Sequence, residues 1–193
     1  MTESQHQPEL PAVEIEGVSY SYPPGGVGEP GVEALRDISM RVEPHSRLGI
    51  LGPNGGGKST LIQIVLGVLE PTAGRVRVFG MKPAQARREG LIGYLPQRIG
   101  ADLDWPLSVE QVIAMPRRTR LRPWLSLGSE DHDAIDRAMQ LLEVEDLRDR
   151  RIGSLSGGQL QRVMIARAIS TTPRLLAWRA CRGRCTSTMR PRG

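Results

Sequence analysis

The chain has 193 residues, 39% of them hydrophobic, enough for one domain or for a core carrying one inserted subdomain. Its longest apolar stretch, LIQIVLGVL (61–69), is about half a membrane span, and residues 1–14 hold neither a basic nor an apolar segment, which reads as a soluble cytoplasmic protein without a signal peptide. The net charge of +5 comes from Arg179, Arg182, Arg184, Arg190 and Arg192 in an acid-free tail: without them 21 basic residues face 21 acidic ones, and no basic stripe with aromatics argues for nucleic acid as a partner.

Residues 1–11 are polar and read as a loose N-terminus. VEIEGVSYSY (13–22) alternates apolar and polar residues, which predicts a half-exposed strand. PPGGVGEPG (23–31) is a loop, and ALRDISMRV (34–42) alternates again. RLGIL (47–51) is apolar without alternation and predicts a short central strand buried on both faces. GPNGGGKST leads into an apolar helix over 61–69, which the Pro and Gly of EPTAG (70–74) stop. RVRVFG (75–80) reads as a strand, PAQARRE (83–89) as a helix and LIGYLP (91–96) as a strand.

Residues 98–150 are more polar, with Pro106, Pro116 and Pro123 as breakers. A helix is predicted from Ser129 to Leu142. Ser129 caps it, Glu130, Asp131 and Asp133 suit its positive end, and Ile135, Ala138, Met139 and Leu142 share a face. LSGGQ (155–159) then opens a largely buried helix, LQRVMIARAI (160–169), and PRLLA (173–177) resumes as a buried strand.

Gly52-Pro53-Asn54-Gly55-Gly56-Gly57-Lys58-Ser59 fits G-x-x-x-x-G-K-[ST], with a strand predicted before it and a helix after. Glycines let the backbone curl so that successive N–H groups cradle phosphate oxygens, and the positive end of the helix adds to the field. Lys58 would reach the β- and γ-phosphates. Ser59 would offer its hydroxyl to Mg2+, and Thr60 would donate to another phosphate oxygen. This loop says nucleoside triphosphate; it does not say what the energy is used for. Leu155-Ser156-Gly157-Gly158-Gln159 is a second small-residue helix start, and a second phosphate site in one chain suggests use in trans, across a dimer.

In order and spacing, the P-loop, YLPQ (94–97) and LSGGQLQRVMIARAI (155–169) resemble the nucleotide-binding domain of ABC transporters, over about Val13 to Ala177. The resemblance implies an α/β fold: a P-loop NTPase core with a mixed sheet and helices, plus an inserted α-helical subdomain. The corresponding segments are a nucleotide-binding core at 12–97, the helical subdomain at 98–154, and the signature motif, its helix and the start of the Walker B strand at 155–177. A tail of other character occupies 178–193. It also implies a head-to-tail homodimer or paired ABC subunit that sandwiches ATP, with Ser156, Gly157, Gly158 and Gln159 of one subunit on the γ-phosphate held by the other. Tyr22 corresponds to the aromatic that stacks on adenine, with Tyr20 as its competitor. Gln97 corresponds to the glutamine that helps order Mg2+ and the attacking water and links the core to the transmembrane permease subunits. On that reading the chain sits in the cytoplasm, peripheral at the inner face of the cell membrane. DLDWPLSVEQVIAMPRR (102–118) is similar to members serving manganese, zinc or iron importers, keeping Asp104, Trp105 and Pro106 but with Pro116 where Gly is usual. His6, His45 and His132 are scattered and read as structural or exposed.

After PRLLA the family continues into Asp-Glu-Pro, whose acids order Mg2+ and polarise the attacking water, and later into a switch histidine. Here Ala177 is followed by Trp-Arg-Ala-Cys-Arg-Gly-Arg-Cys, and no carboxylate follows Asp149. Cys181 and Cys185 alone make no metal site, and a cysteine-free body argues against a disulfide framework. Two explanations stand: a shifted reading frame in a GC-rich gene, or a genuine short protein with a basic tail. Either way the expectation is slow ATP hydrolysis at best, later strands missing, and an exposed apolar edge. Three functions remain open: the ATP-binding subunit of an ABC importer, a soluble ABC ATPase, and a nucleotide-binding remnant without turnover.

Overall fold

The computed structural model describes residues 9–25, 31–96, 106–118 and 126–178. In chain order these form β1 (Val13–Tyr22), β2 (Val32–Val42), α1 (Lys58–Val65), β3 (Ala73–Val78), α2 (Pro83–Arg88), β4 (Ile92–Leu95), α3 (Val109–Arg118), α4 (Ser129–Leu141), α5 (Gly157–Ile169) and β5 (Leu175–Trp178). Short 3-10 turns at Glu145–Leu147 and Ile152–Ser154 join α4 to α5.

The alternating β1 is the middle strand of an antiparallel sheet ordered β2-β1-β3. A register shift between Ile15 and Val18 changes the phase of the alternation, so that Val13, Ile15, Val18 and Tyr20 all face the core. Leu35 of β2, Val76 of β3, and Leu61 and Ile64 of α1 close the same cluster. Burying each of those two α1 side chains is worth about 1.5–3 kcal/mol, which seats the helix on the sheet. β4 and β5 pair in parallel, Ile92 opposite Leu175 through Leu95 opposite Trp178. A separate cluster joins α3, α4 and α5 through Ile113, Ile135, Met139 and Val163, with Leu95 of β4 at its edge. Arg117 fastens these helices: its guanidinium donates to Asp131 at 2.8 Å and to the Ser170 carbonyl, at the end of α5, at 2.9 Å.

Several expectations change. Residues 47–51 are an irregular, exposed segment rather than a buried strand, and Leu51 is 94% exposed. Among the described residues the strands pair only as β2-β1-β3 and β4-β5, so this apolar run has no ladder to join. β5 is likewise half-exposed, with Trp178 at 58%, because one of its edges carries no strand among the described residues. Among the described residues Leu176 and Trp178 therefore stand exposed. The first helix ends at Val65, before EPTAG: Gly67 takes φ 63°, its N–H donates to the Ile64 carbonyl, and the Val68 N–H reaches back to Gln63. At α4 the cap is Gly128, not Ser129; Asp131 accepts from the Gly128 N–H at 3.1 Å. Pro116 lies within the last turn of α3, where it removes one helical donor without breaking the element.

Candidate functional site

The glycine loop is fixed by one close approach. Gly57 caps α1 with φ 71°, a left-handed conformation that favours glycine. A Cβ there would lie 2.3 Å from the Ala34 carbonyl oxygen and 2.7 Å from Leu35 Cδ2. The missing side chain therefore lets the start of α1 rest directly on β2. The first turn of a helix directs N–H groups out of its end, with about half a unit of positive charge. Here that end opens on a cleft of about 320 Å3 lined by Tyr22, Asn54, Gly55, Lys58, Ser59 and Thr60.

Inside the cleft the loop satisfies its own groups. Lys58 Nζ donates to the Gly52 carbonyl at 2.9 Å and to the Pro53 carbonyl. The Gly56 N–H donates to Pro53 at 3.3 Å and the Gly57 N–H to Gly55 at 2.9 Å. Two neutral carbonyls are weaker partners for an ammonium than an anionic oxygen, so an incoming phosphate can take Lys58 from them. Ser59 is half-buried beside Lys58, and its hydroxyl is the hard oxygen donor that suits Mg2+. Thr60 is only 4% exposed, and its Oγ1 lies 3.0 Å from the Tyr22 hydroxyl.

The two candidate aromatics separate. Tyr20 is 9% exposed and belongs to the core cluster, whereas Tyr22 is 38% exposed and lines the cleft. Their rings meet edge to face, with centroids 5.0 Å apart and planes at 83°. Val32, Glu33 and Ala34 also line the cleft, although no local motif in the sequence marks them. The register of β2 supplies them, since Val32 pairs with Tyr22. Glu33 puts a carboxylate at the rim, and the Arg36 guanidinium, donating at 2.5 and 2.9 Å, holds it ionised and lowers its pKa. Gln97, Asp104 and Trp105 lie outside the described residues.

LSGGQ is not part of this cleft. Ser156 caps α5: its Oγ accepts from the Gln159 N–H at 3.4 Å, while the Gln159 side-chain oxygen accepts from the Ser156 N–H at 3.0 Å. Gly157 and Gly158 occupy the exposed first turn, and a Cβ on either would meet nothing within 4 Å. The fold has no packing need for glycine at these two positions.

A glycine loop that ends in Lys-Ser-Thr at the start of a helix seated on a sheet gives the fold class of a P-loop NTPase, here an α/β core with a packed helical unit. The profile of the ABC transporter family matches residues 35–178, and the chain belongs to that family, as an ATP-binding domain. It is 38% identical over 165 residues to a zinc uptake system ATP-binding protein of Listeria innocua, covering 85% of this chain and 62% of that protein. It is 41% identical over 139 residues to a manganese transport system ATP-binding protein of Halalkalibacterium halodurans, covering 72% and 54%. Among solved structures, a nucleotide-free ATP-binding cassette from an ABC transporter superposes with a TM-score of 0.69 at 26% identity, covering 88% of this chain and 68% of that one. The chain thus spans less than two thirds of the length of these two curated relatives.

Proposed function

We propose that this chain is the ATP-binding subunit of an ABC importer for a divalent transition metal, zinc or manganese. The observation that carries the reading is the single cleft that joins the exposed ring of Tyr22 to Lys58, Ser59 and Thr60 at a helix N-terminus. An aromatic face for a base and a positive, N–H-lined end for phosphates are what a nucleotide needs. The Gly52–Gly57 backbone and Lys58 would hold the β- and γ-phosphates. Ser59 and Gln97 would hold Mg2+, which would supply charge to the phosphate oxygens. Ser156, Gly157, Gly158 and Gln159 would face the ATP of a second subunit, closing a homodimer or an ABC pair. Transmembrane permease subunits at the inner face of the membrane would read that closure as alternating access. The names of the zinc and manganese relatives support the metal.

Hydrolysis is a separate matter. Phosphoryl transfer to water depends on positioned charge and a group that orients the water. Trp178-Arg179-Ala180-Cys181 stand where the resemblance places the acidic pair that orders Mg2+ and polarises the water, so we propose that these 193 residues bind ATP with little turnover. Two measurements test this. Deleting the gene should lower uptake of radioactive zinc or manganese by the source cells, and unchanged uptake of both would remove the importer reading. Purified chain should release phosphate from MgATP no faster than the Lys58→Ala variant; fast, magnesium-dependent turnover would contradict the hydrolysis claim.

A further inference from the structure

Tyr22 reaches the phosphate end of the cleft through its hydroxyl, not only the base end through its ring. The phenolic oxygen lies 3.0 Å from Thr60 Oγ1, a contact that joins β1 to the first turn of α1 across 38 positions of sequence. The fold determines both partners. Tyr20 and Tyr22 are two apart on β1 and share a face, and their rings pack edge to face with centroids 5.0 Å apart, so the buried Tyr20 gives the Tyr22 ring a packing partner. Thr60 is carried by a helix start that Gly57 seats on β2, and only 4% of it is exposed.

A threonine hydroxyl on a helix has a local alternative, since it can turn back to the carbonyl three or four residues earlier. In this structure its partner is Tyr22. A phenol is the more acidic hydroxyl of the two and hence the better donor. With Tyr22 donating, Thr60 Oγ1 keeps its own O–H for an oxygen entering the cleft, and the first bond polarises the second. We propose that Tyr22 is a positioning residue for the phosphate end: its hydroxyl holds Thr60 in the orientation that donates to phosphate, independently of any stacking of its ring on the base. The inference rests on the proposed reading of the cleft as an ATP site.

The test uses the full 193-residue chain and two ligands, MgATP and inorganic tripolyphosphate, titrated by calorimetry. Tripolyphosphate has no base, so it reports the phosphate end alone. Tyr22→Phe keeps the ring and loses the hydroxyl; it is expected to weaken both ligands by the same factor, about threefold to tenfold for one hydrogen bond in a network. Thr60→Val should weaken both ligands similarly, and the double variant should be no weaker than the weaker single. Tyr22→Ala should lose further affinity for ATP but not for tripolyphosphate. If Tyr22→Phe leaves tripolyphosphate binding unchanged, or if the Tyr22 and Thr60 effects multiply, the inference is wrong while the ATP site stands. Should the parent chain bind neither ligand, the functional reading falls first and the inference with it.

Discussion

The molecule starts two of its helices with adjacent glycines, and it uses them in opposite ways. At the P-loop the chain itself demands Gly57: the left-handed φ of 71° and the 2.3 Å approach of Ala34 leave no room for a side chain. At LSGGQ it demands nothing of the kind, for Gly157 and Gly158 face open space in a helix already capped by Ser156 and Gln159. Two glycines in a first turn give up helix propensity with no return inside the fold. They leave the backbone of that turn bare and exposed. The glycine of the first loop is thus required by the fold itself, whereas on the proposed reading the second pair would face the ATP of a second subunit.

Substitutions at the two helix starts test the contrast. The largest effect is expected at Gly57→Ala, where left-handed strain adds to overpacking against β2, for a loss of about 2–4 kcal/mol in a denaturant or thermal melt. Stability within a few tenths of a kcal/mol of the parent would mean the loop is not seated as described. Next comes Lys58→Ala. Removing a charged donor from the phosphate end should weaken MgATP binding by about tenfold to a hundredfold with little change in stability. Ser156→Ala removes the cap of α5 and should cost about 1 kcal/mol of stability, with no effect on ATP binding by the dilute chain. The smallest effect has the opposite sign: Gly157→Ala or Gly158→Ala should stabilise by up to about 1 kcal/mol, because alanine is the better helix former and meets no neighbour. A loss of stability there would show an internal role that the open surroundings do not suggest.

The sequence was most legible where chemistry is local. The P-loop carries its own strand-turn-helix grammar, and the Ser156–Gln159 box is two side chains reading each other across one turn. β1 and β2 were legible from their period of two and α4 from its shared apolar face, although its cap, Gly128, was not, because Ser129 is the commoner capping residue type. The failures are where an element depends on partners. RLGIL is apolar enough for a central strand, but an apolar run becomes a buried strand only when neighbours supply a ladder and a cover, and the described residues supply neither. The same holds for β5, whose pairing with β4 was not readable and whose outer edge is exposed. Within the site, no local pattern marks Glu33, because its place at the rim follows from the pairing of Val32 with Tyr22 across a loop. The Tyr22–Thr60 contact was hidden for the same reason.

The most direct measurement is a titration of MgATP into the dilute 193-residue chain beside its Lys58→Ala and Gly158→Ala variants. Saturable one-site binding is expected of the parent, with the same affinity for Gly158→Ala and a loss of about tenfold or more for Lys58→Ala. Equal binding by all three, or equal losses in both variants, would contradict the division between a site built inside the chain and a surface kept for another subunit.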